Sequence, residues 1–522
     1  MGRILLLCRN LKSLKLHIYS LDDSTSAKDL LPSATLDGFT TSPLRNLEIS
    51  SNCPLAWQSI QNVLRALVSY IPELRRLAIY YDVKYNFDTG DILEVISLDR
   101  CKKLEVIKTG LLTTNPEMYN HNGFLYYIKS HKEDKQQQEQ QRQQKHNDDN
   151  VIDGVLLDDE LEESKSRSSI SIIANRNDIN DDNTKLSTTT TASSKKNGLR
   201  HLRLHSVNSA IQLRNQLEAS CNTLEILALQ LGIAGVANIN TQHLEILSSL
   251  PMVKVKTLQL SKFNRMIYRN LPATLDCCPN LETLLLEYPI THDSVNFDPE
   301  VVANNDINNN INGYNNDLQD TLLLNCIIVQ PNIKRLAFVL FNELKPAFFE
   351  QLTDYYRTST TSKLEYLKIT RCNGLTYECL RNMARIPSLK ELSLQFNYNP
   401  RYVHFRNNNN DNSQGYDAVS YHMEKFTNYL AYDPARPQTL ARLELDHMKF
   451  TNIAAQNIAE LCNRNDMLLQ DALIIKDCTG ISFESAKILK SIAKLYRYFD
   501  FSETNASPYI PSRKTFIFTQ KL

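Results

Sequence analysis

Two histidines offer the first candidate chemistry in this sequence. His201 and His205 are four residues apart, a spacing at which a helix would present both imidazoles to one metal ion. They lie in the segment RHLRLHS, however, whose alternation of polar and apolar residues predicts a strand. Residues four apart on a strand share a face but stand about 13 Å apart, which is too far for a shared metal. We therefore expect no metal site at this pair.

The cysteines are the second group that could do chemistry, and there are 11 of them. No C-x-x-C pair occurs and no secretory signal is evident, so we expect reduced thiols in the cytoplasm or nucleus. Four cysteines precede the first apolar residue of a predicted strand by three positions: Cys8, Cys101, Cys221 and Cys278. Cys372 and Cys478 follow predicted strands. Because a small apolar side chain suits a tight corner that faces a core, these cysteines are predicted to be structural.

The sequence lacks the common motifs for catalysis and cofactor binding. It has no glycine-rich phosphate loop, no G-x-S-x-G elbow and no H-E-x-x-H pair. Residues 308–319 imitate the spacing of a calcium loop but carry amides where that loop needs carboxylates. The formal net charge is zero, no concentrated basic patch is interleaved with aromatics, and no apolar run could span a bilayer. We therefore expect a non-enzymatic protein with no cofactor, no bound metal, no nucleic-acid partner and no membrane segment.

A recurring leucine spacing indicates the strands and corners on which these histidines and cysteines lie. Leu-x-x-Leu-x-Leu, with other apolar residues in some places, returns about every 25 to 31 residues. The residues at position 1 of these units are Leu11, Leu44, Leu74, Leu104, Leu199, Leu224, Val255, Leu281, Ile333, Leu364, Leu389 and Leu440, with Gln470 in the same place of a later unit. A unit of this length cannot bury its own apolar face, so units must stack side by side. The sequence therefore predicts an α/β solenoid of about thirteen or fourteen units.

Each unit reads as a strand, a corner and a helix. In the clearest unit the strand covers 364–370, the corner 372–375 and the helix 376–385. Further helices are predicted near 55–71, 241–250, 346–357, 419–430, 452–462 and 483–495. Residues 496–501 predict a closing strand, and KTFIFTQ predicts a further strand or a cap.

Polar segments interrupt the repeat. We divide the chain into N-terminal repeats at 1–110, an insert at 111–197 and C-terminal repeats at 198–522. The insert is rich in Gln, Ser and Asn and holds too few apolar residues to offset chain entropy, so it is predicted to be disordered. Asn-rich loops are predicted near 295–318 and 398–418. Since inserts in solenoids go to loops at one edge, the stack is expected to continue across them.

The unit L-x-x-L-x-L-x-x-C-x-x-L resembles the cysteine-containing leucine-rich repeat of F-box/LRR proteins. The residues that match it at every place are Leu364, Leu367, Ile369, Cys372 and Leu375. The resemblance implies a horseshoe with parallel strands on its concave face and helices on its convex face. It also implies a role as the substrate-recognition part of an SCF-type ubiquitin ligase, which acts in protein degradation. In that family an F-box links the repeats to Skp1 and cullin; no F-box precedes the first unit in this sequence, so those partners are expected only if the full product carries one.

Strand alternation assigns a candidate binding surface. Positions 4 and 6 of each unit point inward, so positions 3, 5 and 7 are predicted to face the concave side. The residues predicted to bind a protein partner there are Tyr80, His201, Arg203, His205, Ile226, Leu285, Val339, Tyr366, Arg442 and Glu444. The character of these residues changes along the chain from basic, through apolar, to mixed and acidic. A row of exposed apolar residues favours a protein substrate or regulator as the ligand. Two other functions stay open: a regulator of a small GTPase, and a ribonuclease-inhibitor-like binding protein with no ligase link. A face that is merely solvated, or covered by an insert, is the remaining alternative.

Overall fold

The computed structural model describes residues 10–18, 42–51, most of 60–81, 101–111, 198–207, 209–231, 237–261, 267–287, 323–339, 344–370, 375–396, 414–464, 468–504 and 513–522. Almost all of the insert predicted to be disordered lies outside these ranges, as do the Asn-rich loop near 295–318 and most of the loop near 398–418. Cys8 and Cys372, two of the predicted corner cysteines, also lie outside the described residues.

One 15-stranded sheet runs through the described residues. Its strands are β1 (Ser13–Ile18), β2 (Asn46–Ser51), β3 (Arg76–Tyr81), β4 (Val106–Leu111), β5 (His201–Val207), β6 (Ile226–Leu231), β7 (Thr257–Ser261), β8 (Thr283–Glu287), β9 (Arg335–Val339), β10 (Tyr366–Thr370), β11 (Glu391–Gln395), β12 (Arg442–Asp446), β13 (Ala472–Cys478), β14 (Tyr496–Thr504) and β15 (Arg513–Lys521). Strands β1 to β13 follow one another in chain order, and each neighbouring pair among them is parallel. The predicted α/β class with parallel strands is thus confirmed.

Positions 1, 4 and 6 of the units form the core. Leu367, for example, lies between Leu336 and Leu392 in the register of the sheet, and all three are at most 1% exposed. Rows of this kind repeat along the sheet, and buried helix residues complete the same apolar core on one side of it. Because strand side chains alternate, the leucine spacing directly selects which side of the sheet is buried by helices.

Backbone hydrogen bonds keep successive units in register. The amides of positions 2 and 3 of each unit both donate to the position-2 carbonyl of the unit before it. This pair of bonds also joins the units on either side of the long insert, where Arg200 and His201 donate to Glu105 O at 2.8 and 3.0 Å. The stack therefore continues across residues 112–197, as predicted.

Alternating charges line the edge of the sheet where the strands begin. The ion pairs between position-2 side chains include Arg75–Glu105 at 3.5 Å, Lys256–Glu282 at 3.6 Å, Lys334–Glu282 at 3.7 Å and Lys390–Glu365 at 3.1 Å. All of these side chains are more than a third exposed, so each pair adds at most about 1 kcal/mol of stability. These pairs form only when the position-2 residues of neighbouring units are aligned, so they favour the observed register.

Helices return the chain from the end of one strand to the start of the next. Those with described bounds are α1 (Ala210–Ser220), α2 (Ala237–Ser249), α3 (Ile267–Asp276), α4 (Pro346–Thr358), α5 (Tyr377–Ala384), α6 (Gln414–Tyr432), α7 (Asn452–Asn463) and α8 (Phe483–Ser491). The hydroxyls of Thr376, Thr451 and Ser482 accept backbone hydrogen bonds and so fix where α5, α7 and α8 begin. The helices predicted from residue 241 onward are confirmed. In the described part of the chain, no helix has the length and apolar character needed to cross a bilayer.

Corner cysteines stand where the sequence predicts them. Cys101 and Cys278 are 0% exposed, and the carbonyl of each accepts a hydrogen bond from the amide three residues on. Ile71, Met252 and Ile386 occupy the same corner in other units and accept the same bond. Burial raises the pKa of Cys101 to about 11 and that of Cys278 to about 12, which keeps both thiols protonated and unreactive. The corner therefore needs a compact apolar side chain rather than sulfur chemistry.

Antiparallel strands end the sheet on its C-terminal side. Strand β15, which contains KTFIFTQ, pairs with β13 on one side and with β14 on the other. The predicted closing strand at 496–501 belongs to β14, which is the outermost strand of the described sheet. Strand β15, which follows it in the chain, lies between β13 and β14. Phe516 and Phe518 are 0% exposed, and the Phe518 ring centroid lies 5.4 Å from that of Tyr496. These aromatic residues cover the apolar end of the last parallel unit.

Candidate functional site

Positions 3, 5 and 7 of the units form the side of the sheet that we call the strand face. Positions 4 and 6 of the same strands belong to the core with the helices, so the strand face lies on the other side. Across β3 to β6, position 3 holds Arg76, Val106, His201 and Ile226; position 5 holds Ala78, Lys108, Arg203 and Ala228; position 7 holds Tyr80, Gly110, His205 and Gln230. None of these residues is acidic.

We call the basic patch the four residues Arg76, Lys108, His201 and Arg203. Lys108 lies directly opposite Arg203 in the register of β4 and β5, so the two side chains leave neighbouring strands about 4.8 Å apart. Alanines flank this pair on both sides in the same row, at positions 78 and 228. Arg76 is exposed and the other three residues are half-buried. The patch is therefore partly accessible, although Ala228 at its border is only 5% exposed.

Burial and neighbouring charges act on Arg203 and on His201 of the basic patch. Neither Arg76 nor Arg203 forms an ion pair within the described ranges, and the buried Nε of Arg203 has no hydrogen-bond partner there. Burial, followed by the charge of Arg203, lowers the pKa of His201 to about 4; Lys108 and Arg76 act in the same direction and Glu225 opposes them. His201 is thus neutral near pH 7, because burial disfavours the charged imidazolium and the neighbouring cations add to this effect.

Tyr80 and Ile226 border the basic patch. Both are half-buried. Gly110 lies opposite Tyr80 on the neighbouring strand, and a Cβ on this glycine would lie 3.2 Å from Tyr80 Cδ1. The absence of a side chain at Gly110 therefore leaves space for the Tyr80 ring. Ile226 stands beside His201 in the position-3 row. The two sequence-predicted residues therefore add an aromatic and an aliphatic surface to the charged one.

His205 is not available on the strand face, which corrects the prediction for this residue. It is 8% exposed, its amide donates to Thr109 Oγ1 at 2.8 Å, and its Nδ1 lies 2.9 Å from the Tyr81 hydroxyl. The register between β5 and β6 shifts directly after His205. Such an irregularity redirects side chains locally, and here it accompanies a polar cluster that joins three strands. We assign His205 a structural role.

Leu285, Val339 and Tyr366 are also buried, with exposures of 1%, 3% and 1%. The expectation that they form an exposed apolar row is therefore wrong. They do not belong to the core on the helix side. Leu285 stands between Gln259 and Ala337 in its row, and the guanidinium of Arg335 lies 4.3 Å from the centroid of the Tyr366 ring. Alternation assigns these side chains to the correct side of the sheet, but it contains no information on what lies above them.

Arg442 and Glu444 lie half-buried in β12, where the charges of the strand face are compensated. Ser393 Oγ donates to Glu444 Oε2 at 3.2 Å, and Lys368 stands in the same row as both. Burial lowers the pKa of Lys368, and Glu444 and Asp446 act against that effect. Unlike the basic patch, this region places carboxylates next to its cations.

A group of potential metal ligands follows β12 and β13. Asp446, His447 and Asp477 each offer one ligand atom, and these atoms lie within 4.8 Å of one another. His447 and Asp477 occupy the same place in successive units, and both have left-handed backbones with φ of 55° and 47°. The His447 Nδ1 already lies 2.5 Å from Asp446 Oδ1. A cation would have to separate these two atoms, so we interpret the pair as a hydrogen bond within one turn. The His447 amide donates to Lys476 O at 3.0 Å, and this backbone bond joins the turn to the next one.

The comparisons with known proteins give no family assignment. No protein-family model matches this chain, and no curated protein matches it in sequence. Function must therefore be inferred from the residues themselves. Sequence reasoning did not place Lys108 beside Arg203, although aligning the units by position would have put both residues in one row.

Proposed function

We propose that this chain is a non-enzymatic leucine-rich-repeat scaffold that binds another protein through its strand face. In this proposal the strand face is the concave side of a horseshoe and the helices form its convex side. The chain acts as the substrate-recognition part of an SCF-type ubiquitin ligase in the cytoplasm or nucleus. The resemblance of the repeat unit to that of F-box/LRR proteins supports the ligase role.

One observation carries the binding role: the accessible side chains of β3 to β6 stand on the same face of the sheet. They come from four strands that the parallel register holds side by side. Tyr80 and Ile226 border the basic patch, and aromatic residues and arginine are the residue types most enriched at the centres of protein interfaces. Because these residues stand on hydrogen-bonded strands, little backbone entropy is lost when a partner binds.

Affinity capture with the tagged full-length chain tests this role. The face variant combines Tyr80→Ala with Ile226→Asp, two half-buried positions that tolerate substitution better than Leu285, which is 1% exposed. The matched control is Phe483→Ala on α8, where the ring is 82% exposed. We expect the control to capture the same partner as the native chain and the face variant to lose it. Equal capture by both variants would contradict binding through the strand face.

The ligase role is tested separately in the same capture. If the full product carries an F-box, Skp1 and cullin should accompany it, and the captured partner should become ubiquitinated when the ligase is reconstituted. A partner that is retained without Skp1 and cullin would contradict the ligase role and leave the binding role in place. A captured small GTPase whose GTP hydrolysis is accelerated by the chain would favour the regulator instead.

A further inference from the structure

The outer side of helix α8 carries a row of exposed lysines. The helix continues directly into a 3₁₀ turn at Ile492–Leu495, and the buried residues of both, such as Leu489 and Ile492, face the core. Exposed residues spaced three or four positions apart follow one line along the opposite side. We call them the lysine stripe: Phe483, Lys487, Lys490 and Lys494. The stripe is about 18 Å long, from the rise of an α-helix and a 3₁₀ turn.

The charges of the lysine stripe lack carboxylate partners. In other helices exposed cations pair with a carboxylate nearby in the chain: Arg214 with Glu218 at 3.0 Å, Arg357 with Asp354 at 2.8 Å and Arg464 with Glu460 at 3.8 Å. None of the stripe lysines forms an ion pair with a residue in the described ranges. Lys490 Nζ lies 4.2 Å from the centroid of the Phe501 ring, which orients the ammonium without neutralising it. Glu484 is the single carboxylate of residues 483–495.

Apolar side chains lie at the N-terminal end of the stripe. The Phe483 ring is 82% exposed. Ser482 Oγ donates to Asn452 Oδ1 at 2.6 Å, which places the start of α8 beside the start of α7. Ile453 directly follows Asn452 and is 53% exposed. A neighbouring pair of exposed apolar side chains next to a row of cations suits a ligand that offers anionic groups above an apolar layer.

These features favour the surface of an anionic membrane over an acidic peptide or a nucleic acid. The stripe cations are lysines, which act as compact point charges, whereas arginine is the residue suited to paired bonds with a single carboxylate or phosphate. Phe483 stands on the outer side of a helix and is not seated in a groove that could hold a peptide. Nucleic-acid binding draws on many phosphate contacts and on several aromatic rings that stack with bases. A layer of anionic headgroups instead attracts each nearby lysine without requiring a fixed geometry.

We propose that the lysine stripe binds this protein peripherally to membranes that contain anionic phospholipids. Lys487, Lys490 and Lys494 contact the headgroups, the Phe483 ring enters the interface between them, and α8 lies along the membrane plane. This binding goes beyond the proposed function and does not depend on it. Because the strand face lies on the other side of the sheet from the helices, a chain bound to a membrane keeps that face free for a protein partner.

Sedimentation with large vesicles tests the proposal on the full-length chain. The vesicles are phosphatidylcholine with about 30% phosphatidylserine, and the control vesicles are phosphatidylcholine alone. The stripe variant replaces Lys487, Lys490 and Lys494 with Gln. Its matched control replaces three exposed lysines at the edge of the sheet with Gln: Lys256, Lys334 and Lys390. Both variants change the net charge equally, so they separate a local site from the overall charge.

We expect the native chain to bind the anionic vesicles and not the neutral ones. A lysine near an anionic surface contributes about fivefold to the affinity, so the stripe variant should lose about 100-fold while the edge variant binds as the native chain does. Phe483→Ala should lose about fivefold, as expected if half of the ring is withdrawn from water. Ile211→Ala, which removes a side chain that is 73% exposed on α1, should lose nothing.

Three results would overturn the proposal: equal sedimentation with both kinds of vesicle, an equal loss in the edge variant, or release of the chain by oligouridylate or polyglutamate at an equal concentration of charge. Replacing the three stripe lysines with Arg keeps the charges and should keep the binding; its failure would also count against the stripe. All variants should unfold at the native temperature, because the side chains are exposed. Phe483→Ala should weaken vesicle binding and still capture the protein partner, so membrane binding and protein binding can fail independently.

Discussion

Lowering the pH from 7 to 5 should destabilise the folded chain through His201. In the folded state burial, followed by Arg203, Lys108 and Arg76, lowers the pKa of His201 from 6.5 to about 4, against the opposing effect of Glu225. In the unfolded chain these neighbours are gone, and the imidazole titrates near its ordinary value of about 6.5. Between these two pKa values the unfolded state binds more protons than the folded state. The free energy of unfolding therefore falls as the pH falls through this window.

The size of the effect follows from the two pKa values. A fully buried imidazole with these values would lose about 2 kcal/mol of stability between pH 7 and pH 5. His201 is only half-buried, so water and salt screen the neighbouring cations. We therefore expect a loss of about 1 kcal/mol that is specific to this residue, complete only below pH 4 or so.

Urea unfolding at pH 7 and pH 5, followed by circular dichroism, measures this loss. The comparison is with His201→Thr, because threonine occupies the same position of the unit in β7 and β8, as Thr257 and Thr283. The variant should lose about 1 kcal/mol less stability than the native chain over this pH range. An NMR titration of the imidazole adds a direct reading, since Arg203→Gln should raise the pKa of His201. The reasoning is refuted if both chains lose the same stability, or if the Arg203 variant leaves the titration of His201 unchanged.

Two further predictions concern the C-terminal end of the sheet. Phe518→Ala should lower the free energy of unfolding by about 3 to 5 kcal/mol, because the Phe518 ring is 0% exposed and its centroid lies 5.0 Å from that of Phe499. Hydrogen exchange should show the loss of protection first in β13 and β15. A loss below about 1 kcal/mol would contradict this packing. Gly480→Ala should lower the free energy of unfolding, measured in urea, by about 1 to 2 kcal/mol. Gly480 has a φ of 73°, and an added Cβ would lie 3.1 Å from Lys449 Cγ. An unchanged urea midpoint would show that the turn does not need glycine.

Much of the fold follows from the sequence because the repeat carries two periodicities at once. The leucine spacing fixes which strand residues face the core, and the interval between units fixes where the next strand begins. Cys101 and Cys278 fit the same scheme, since their distance from the following leucine places them at a buried corner. The helices predicted at 376–385 and near 452–462 begin directly after Thr376 and Thr451, whose hydroxyls cap them. Each of these features depends on residues close together in the chain.

The candidate site was less predictable because it depends on what lies beside and above each strand. Alternation correctly assigned Leu285 and Tyr366 to the strand face, but it did not reveal that they are buried. It also gave no reason for His205 to turn toward Tyr81, a partner 124 residues away. The adjacency of Lys108 and Arg203 requires β4 and β5 to pair across a long insert. No local pattern contains these contacts.

By itself, then, the sequence determined the repeat, the buried side of each strand and the residue types available to the strand face. These follow from the two-residue period of a strand and the inability of one unit to bury its own apolar surface. Only the tertiary structure decided which face residues stay accessible and which charges become neighbours. The physical reason is that closing a long loop costs little more than closing a short one, so units far apart in sequence can pair as readily as adjacent ones. The basic patch exists because that pairing sets Lys108 beside Arg203 with no carboxylate in their rows from β3 to β6.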